Sequence, residues 1–441
     1  MTHVITAMPE YESYQNHEVG ELPIAWKMRR FRDVFDFSKG LNITKENLED
    51  VGVPCVSYGE IHSRLPFKLA PSRHEIKCVN KYYLKHNNKS LLNIGDIVFA
   101  DTSEDIEGSG NFLQLVEDAT IFAGYHTIIA RPNDEYEDRF LAYLLDSRCY
   151  REQIRRAVKG VKVYSITIKI LKNTTLWLPS KAEQVAIAKY LDEKTTQIDE
   201  ATGIKEQQIA LLNELKKIII QNVVTKGLNP NVNFKDSGFD WIGEIPAHWE
   251  VTSLGPLLKP ISQKGRPDLP LLSITREQGV IVRDVKNLGS NHNFIPDDLS
   301  GYKVINKGHF GMNKMKAWQG SYGVSDFSGI VSPAYYIFDF NKPIIPEYFH
   351  WAIRSRLYVS YFASASDGVR IGQWDLSKTR MKSIPFLVPS EEEQEAIAKF
   401  LDEKTTQIDE VTRIKKQEID KLNEYKASLI NSAVTGKVKV I

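Results

Sequence analysis

Two stretches of the chain place apolar residues seven or fourteen positions apart: Leu191, Ile198, Leu212 and Ile219, then Leu401, Ile408, Leu422 and Leu429. A seven-residue period keeps one stripe on one side of an α-helix and reads as a coiled-coil seam, with Lys205 and Lys415 as its polar exceptions. Each stretch opens on a capping box, Ser180 with Glu183 and Ser390 with Glu393. There the hydroxyl accepts from a free N–H and the glutamate reaches back to the cap. Proline stands just before each cap and is then absent until Pro230 in the first stretch and the chain end in the second. Gly227 and Gly436 are suitable C-terminal stops. The pattern predicts two helices of about 45 residues, or roughly 65–70 Å at 1.5 Å per residue.

A helix with one apolar stripe needs a partner, and these two have matching stripes. The match extends to identity, because Leu191–Glu200 reads LDEKTTQIDE and Leu401–Glu410 repeats it unchanged. Upstream, GELPIAW at Gly20–Trp26 corresponds to GEIPAHW at Gly243–Trp249; downstream, NVVTKG at Asn222–Gly227 corresponds to NSAVTGK at Asn431–Lys437. The order GE[LI]PxxW, a long dissimilar stretch, PSxxEQ and a helix thus runs twice. We divide the chain into a variable domain at 1–178, a repeated spacer helix at 179–227, a second variable domain at 228–388 and a second spacer helix at 389–441. Repetition favours an antiparallel, pseudo-two-fold pairing of the helices, with the variable domains at opposite ends of a rod.

Composition changes this picture little. The chain of 441 residues is 42% hydrophobic and 26% charged, as globular proteins are. No run of about 18 apolar residues occurs, so no membrane span is expected. The N-terminus is polar and acidic, unlike a signal peptide, which places the protein in the cytoplasm. Cys55, Cys78 and Cys149 have neither disulfide nor zinc spacing, and the histidines show no metal-ligand spacing. Net charge is +1, so any nucleic-acid footprint must be local.

Such a footprint exists. The window Arg148–Lys172 holds Arg148, Arg151, Arg155, Arg156, Lys159, Lys162, Lys169 and Lys172 against Glu152 alone. Phe140, Leu141, Leu144 and Leu145 precede it at helical spacing, which predicts a helix ending near Gly160 and then a basic loop suited to phosphates. A second basic window, Lys303–Lys316, contains Lys303, Lys307, Lys314 and Lys316, with Trp318 and Tyr322 following. Basic residues interleaved with aromatics suit a nucleic-acid face. Arg64, Lys68, Arg73 and Lys77 form a weaker group.

Taken together, GE[LI]PxxW, PSxxEQxxIAxxLDxxTxxID and VTG, in this order and twice, make the chain resemble the specificity subunit of a type I restriction–modification system. The resemblance covers essentially the whole chain. It implies an α+β fold, with two α/β target-recognition domains separated by two long antiparallel coiled-coil helices. Each domain would read one half of a split site in double-stranded DNA. The helices would dock two methyltransferase (modification) subunits, which restriction subunits then join. S-adenosylmethionine and ATP would belong to those partners, leaving this chain without a cofactor, a metal or a catalytic residue. Two identical partners need two equivalent surfaces, which assigns partner binding to Leu191, Asp192, Thr196 and Asp199 and to Leu401, Asp402, Thr406 and Asp409.

Members of the family carry a glycine loop ahead of the last strand, and Lys159–Val163 aligns here with Asp367–Ile371. This carries DNA contact over to Lys162, Arg370 and Gln373, beside Arg155, Arg156, Lys159, Lys314 and Lys316 read from the basic windows. Both loops lack the Ser/Thr-Gln that often follows the glycine in the family. No Asn-Pro-Pro-Tyr, Walker or glycine-rich cofactor motif occurs. A rival reading is a coiled-coil scaffold that joins proteins without touching DNA; a third is the recognition half of a fused methyltransferase–nuclease. The Arg148–Lys172 window argues against the scaffold, and nothing in the chain supplies a catalytic half.

Overall fold

The computed structural model describes residues 11–13, 20–63, 67–133, 135–160, 163–285, 295–341, 344–370 and 373–440. It is an α+β fold with two long helices. The chain forms two compact units, and their boundaries do not follow the four segments read from the sequence. The first unit combines residues 1–204 with 417–441, and the second is 205–416. Each long helix is therefore shared, because its two halves pack on different cores.

The first unit is built on a five-stranded sheet. Its strands are β1 (Phe35–Lys39), β2 (Lys68–Leu69), β3 (Ile97–Ala100), β5 (Phe112–Leu115) and β6 (Thr127–Pro132), in the order β1-β6-β3-β5-β2. A short strand β4 (Thr102–Ser103) follows β3 and pairs instead with β7 (Tyr164–Ser165). Ile97 and Phe99 of β3 face one apolar cluster and Val98 and Ala100 another, so the strand reads as an unbroken apolar run. The first cluster is the larger. Into it pack Trp26, Phe31, Trp177, helices α2 (Asp138–Asp146) and α3 (Arg148–Ala157), the start of α4 (Lys181–Lys226) and, from the end of the chain, Leu429, Ile430, Ala433 and Val434. Helix α1 (Tyr58–Ser63) lies over the second cluster through Ile61.

The basic stretch predicted as one helix ending near Gly160 is in fact α2 and α3, broken at Ser147. Its hydroxyl accepts from Tyr150 N at 3.4 Å and so caps the second helix.

The second unit repeats this plan on a different sheet. Strands β8 (Leu258–Ile261), β9 (Phe310–Met312), β10 (Tyr322–Val324) and β11 (Tyr336–Phe340) form an antiparallel sheet in the order β8-β11-β9-β10. A hairpin of β12 (Ser366–Arg370) and β13 (Gln373–Leu376) follows α5 (Pro346–Ile353) and α6 (Arg356–Ser364). The core gathers Trp249, Phe310, Tyr322, Tyr348, Phe349, Tyr358 and Phe386 with Val223 and Val224 of α4 and Ile397 and Leu401 of α7 (Glu391–Val434).

Candidate nucleic-acid interface and its scaffold

The repeated motifs meet one another within each unit. Trp26 of GELPIAW donates its indole N–H to Glu183 at 3.3 Å, and Trp249 of GEIPAHW does the same to Glu393 at 3.3 Å. The neighbouring glutamines act as bridges. Gln184 donates to Pro179 O and accepts from Glu137 N at the start of α2, both at 3.0 Å. Gln394 donates to Pro389 O at 3.0 Å and accepts from Ile345 N at 2.8 Å. The closing glycines complete the latch, since a Cβ at Gly436 or Gly227 would lie 3.2 Å from the Trp26 or Trp249 ring. Both glycines are left-handed, at φ +73° and +71°, which L side chains rarely adopt.

The capping boxes are consequently half formed. Ser180 and Ser390 accept from the N–H of Glu183 and Glu393, but the glutamate side chains turn to the tryptophans. Burial pushes the Glu183 carboxyl up, and the Trp26 hydrogen bond only partly opposes it. Burial acts the same way on Glu393, but there His248 and Trp249 outweigh it and hold the carboxyl low.

The decamers divide by face. Leu191 and Leu401 are fully buried in the cores of the first and second unit. They have no surface to offer a partner, which corrects their assignment to docking. Asp199 pairs with Lys426 in the first unit and Asp409 with Lys216 in the second, each at 2.6 Å. In the second unit Lys415 also reaches Gln208 at 2.6 Å, so partners on α7 fall in number as those on α4 rise and the segments run antiparallel. Lys415, the polar exception in the second stripe, is met by a glutamine on the facing segment, and the aspartates meet Lys216 and Lys426 instead.

Asp192 is tied to its own unit by Arg139 at 2.7 Å, Lys68 at 2.7 Å and Tyr143 at 2.7 Å. Burial would raise this carboxyl, but hydrogen bonds from Arg139, Lys68 and Tyr143 prevail and hold it well below the usual carboxylate range. Asp402 accepts instead from the Trp351 indole at 2.8 Å. Thr196 and Thr406 are exposed, as are Glu193, Glu200, Glu403 and Glu410. The acidic face read from the decamer is thus narrower than its sequence, since Asp192 and Asp199 are engaged internally.

The basic windows also contain more internal pairing than their sequence suggests. Arg155 pairs with Glu107 at 2.7 Å, and Arg151 with Asp146 at 2.9 Å and Asn111 at 2.7 Å. Arg156 lies against Glu152 at 3.3 Å, and Lys159 is exposed on the loop beyond. Lys162 and Arg64 lie outside the described residues. Of the weaker group, Lys68 serves Asp192 and Lys77 serves Asp50.

In the second unit Lys314 reaches Asp375 at 3.3 Å, and Lys316 is exposed. Arg370 and Gln373 face each other across the β12–β13 hairpin; their side chains lie outside those described. Sequence reasoning missed what holds this hairpin. Trp374 stacks on Trp318 with ring centroids 5.1 Å apart, and Trp374 N and Leu376 N donate to Met315 O and Lys314 O at 3.4 and 3.2 Å. Trp318 had been noted only as an aromatic beside lysines, and its partner lies too far along the chain to be read locally.

Two dissimilar faces carried on one repeated latch define a class of duplicated recognition scaffold. Comparison with known proteins gives the class a name. Residues 23–214 match the family model for the type I restriction modification DNA specificity domain. The chain is 26% identical to the putative type I restriction enzyme MjaX specificity subunit of Methanocaldococcus jannaschii, over 97% of this chain and 97% of that protein. It is 25% identical to the type I restriction enzyme MjaVIII specificity subunit of the same organism, over 99% and 98%. A solved chain described under "Structural basis underlying complex assembly and conformational transition of the type I R-M system" shares the fold at TM-score 0.66 and 15% identity, covering 95% of this chain and 99% of that one.

Over nearly its whole length the chain is similar to type I restriction–modification specificity subunits, and residues 23–214 match their DNA specificity domain. Among the described residues no helix is long and apolar enough to cross a membrane.

Proposed function

We propose that the protein reads a bipartite, asymmetric site in double-stranded DNA, one half-site per variable face, and is not itself catalytic. In the cytoplasm it docks two adenine-methyltransferase subunits and, through them, restriction subunits. S-adenosylmethionine is held by the former and ATP by the latter. One observation carries this reading: the latch and the Asp–Lys seam are repeated residue for residue, while the sheets and loops they support differ. A repeated scaffold presents the same surface to two like partners, and two unlike faces read two unlike sequences. The exposed decamer positions Thr196, Glu193 and Glu200, with Thr406 and Glu403, are the part of that surface left open to a partner, while Glu410 is paired with Arg413.

The test is a methylome. The chain is co-expressed with the methyltransferase subunit encoded beside it, in a host lacking adenine methylation, and modified bases are mapped at single-molecule resolution. The expected result is a split motif with N6-methyladenine in both halves, present only when this chain is present. A stable complex that leaves no modified motif overturns the reading.

A further inference from the structure

A cleft of about 760 Å³ opens in the first unit between α1, the loop from Thr102 to Asn111, and Val163. Strand β7, which follows Val163, pairs with β4 on the cleft wall, Tyr164 opposite Ser103. Tyr58, His62, Glu104, Asn111 and His126 line it.

One wall is rigid. His62 meets Thr102 O through Nε2 at 2.7 Å and Asn111 through Nδ1 at 3.2 Å, so both ring nitrogens are spent. Asn111 in turn accepts from Arg151 at 2.7 Å. The opposite wall is aromatic, with His126 and Tyr58 edge to face at 5.5 Å. His126 is held at φ +56°, the single left-handed residue other than glycine among those described. Its Nδ1 meets Asp101 at 3.1 Å, and nothing described meets its Nε2.

The acids around the cleft are used unequally. Asp101 serves His126, Asp105 accepts from Gly108 N, Glu107 pairs with Arg155 and Glu60 accepts from Ser57 N. Glu104 is exposed, and among the described residues nothing pairs with it. A bare carboxylate on a face that meets DNA weakens the attraction unless it meets a hydrogen-bond donor. A carboxylate only accepts, and the donors on the major-groove edge are the amino groups of cytosine and adenine. Guanine and thymine present acceptors there, which Glu104 would repel.

We propose that this cleft reads a base bearing an exocyclic amino group, cytosine or adenine, in one half-site. Glu104 accepts from that amine, and Tyr58 and His126 position the base edge. The inference rests on the DNA-reading role proposed above and assigns it a residue and a base chemistry.

The test is the same methylome run with wild type, Glu104→Gln and Glu104→Ala, each co-expressed with the methyltransferase subunit. In wild type the position concerned should be specified, and chemical interference at the cytosine N4 or adenine N6 amine there should block binding. Both variants should relax that one position, while the other half-site and the gap keep their letters. In binding assays with the purified complex, discrimination at that position should fall roughly tenfold or more. The unchanged half-site reports that the variant is folded. Relaxation in the other half-site, or at a guanine whose paired cytosine amine is not contacted on chemical interference, overturns the base chemistry. An unaltered motif in both variants overturns the assignment and leaves DNA reading intact. A wild type without any split motif overturns the parent reading instead, and this inference with it.

Discussion

In the first unit strand β7 pairs with Thr102–Ser103, which lead directly into Glu104, Asp105 and Glu107. In the second the corresponding strand runs beside Lys314 and Lys316. The two places match by hydrogen bonding: Ile166 N donates to Asp101 O at 2.8 Å, and Leu376 N to Lys314 O at 3.2 Å. One loop is acidic and borders an open cleft; the other is basic and is packed by the Trp318–Trp374 stack. Meanwhile the Trp–Glu, Gln–Pro and Asp–Lys contacts recur at the same positions. Because none of these contacts involves the loops, the faces can diverge without disturbing the scaffold. Charge at the reading face is therefore a local property, which a net charge of +1 conceals.

The largest effect expected on this comparison comes from deleting residues 417–441. The deletion strips Leu429, Ile430, Ala433 and Val434 from the first unit and removes Val434 O, which accepts from the buried Trp177 indole at 2.6 Å. Burial of each larger apolar side chain is worth about 1.5–3 kcal/mol, so the first unit should lose on the order of 5 kcal/mol. Amide hydrogen exchange should show protection lost in β3 and β6 but kept in β9 and β11. Protection lost equally in both units would mean that the two cores are not separate.

A smaller effect distinguishes the two copies of one aspartate. Asp192 has Arg139, Lys68 and Tyr143, whereas Asp402 has Trp351. The difference arises one turn away. Arg139 stands two residues after the amide held by Gln184, and the residue two after the amide held by Gln394 is Glu347. Asp192→Ala leaves the largely buried Arg139 without its carboxylate and should cost about 1–3 kcal/mol, toward the low end because Asp192 is partly exposed. Asp402→Ala should cost about 1 kcal/mol or less. Since the Asp192 pKa is depressed in the folded state, its contribution is present above about pH 4 and is lost as pH falls below that, toward the folded value. Urea titrations at pH 7 and pH 3 should therefore separate wild type from Asp192→Ala more widely at pH 7. An equal gap at both pH values would remove the charge from the explanation.

The helices and their shared stripe were legible because a heptad is a local constraint, and Leu191, Ile198, Leu401 and Ile408 are buried as the spacing required. The latch was visible only as scattered words. Nothing in GELPIAW announces that Trp26 meets Glu183, because the motif and its receiver are far apart in sequence. Nothing local pairs Lys216 with Asp409 or Lys426 with Asp199, because each partner lies on the other helix. The basic window was over-read for the same reason: Glu107, which neutralises Arg155, comes from a loop outside it. Identical decamers predict one docking surface presented twice, yet an identical residue can meet different neighbours, as Asp192 and Asp402 do.

The smallest expected effect sharpens the contrast between Lys316 and Glu104. Lys316 is exposed, and no described residue pairs with it. A flexible ammonium without a fixed partner suits a phosphate, which carries no sequence information. Lys316→Ala should therefore weaken binding alike for cognate and altered sites and reduce the slope of log K against log salt by about 1. Lys314→Ala should behave differently. Lys314 contacts one oxygen of Asp375, and the other is buried without a partner, so its removal disturbs the hairpin that carries Arg370 and Gln373. That variant should relax letters in the second half-site as well as lower the salt slope. If Lys316→Ala changed the letters and left the slope alone, Lys316 would be reading a base, as an amine donating to guanine O6 or N7 can. The two faces would then differ in which base edge they address, rather than in whether they address one.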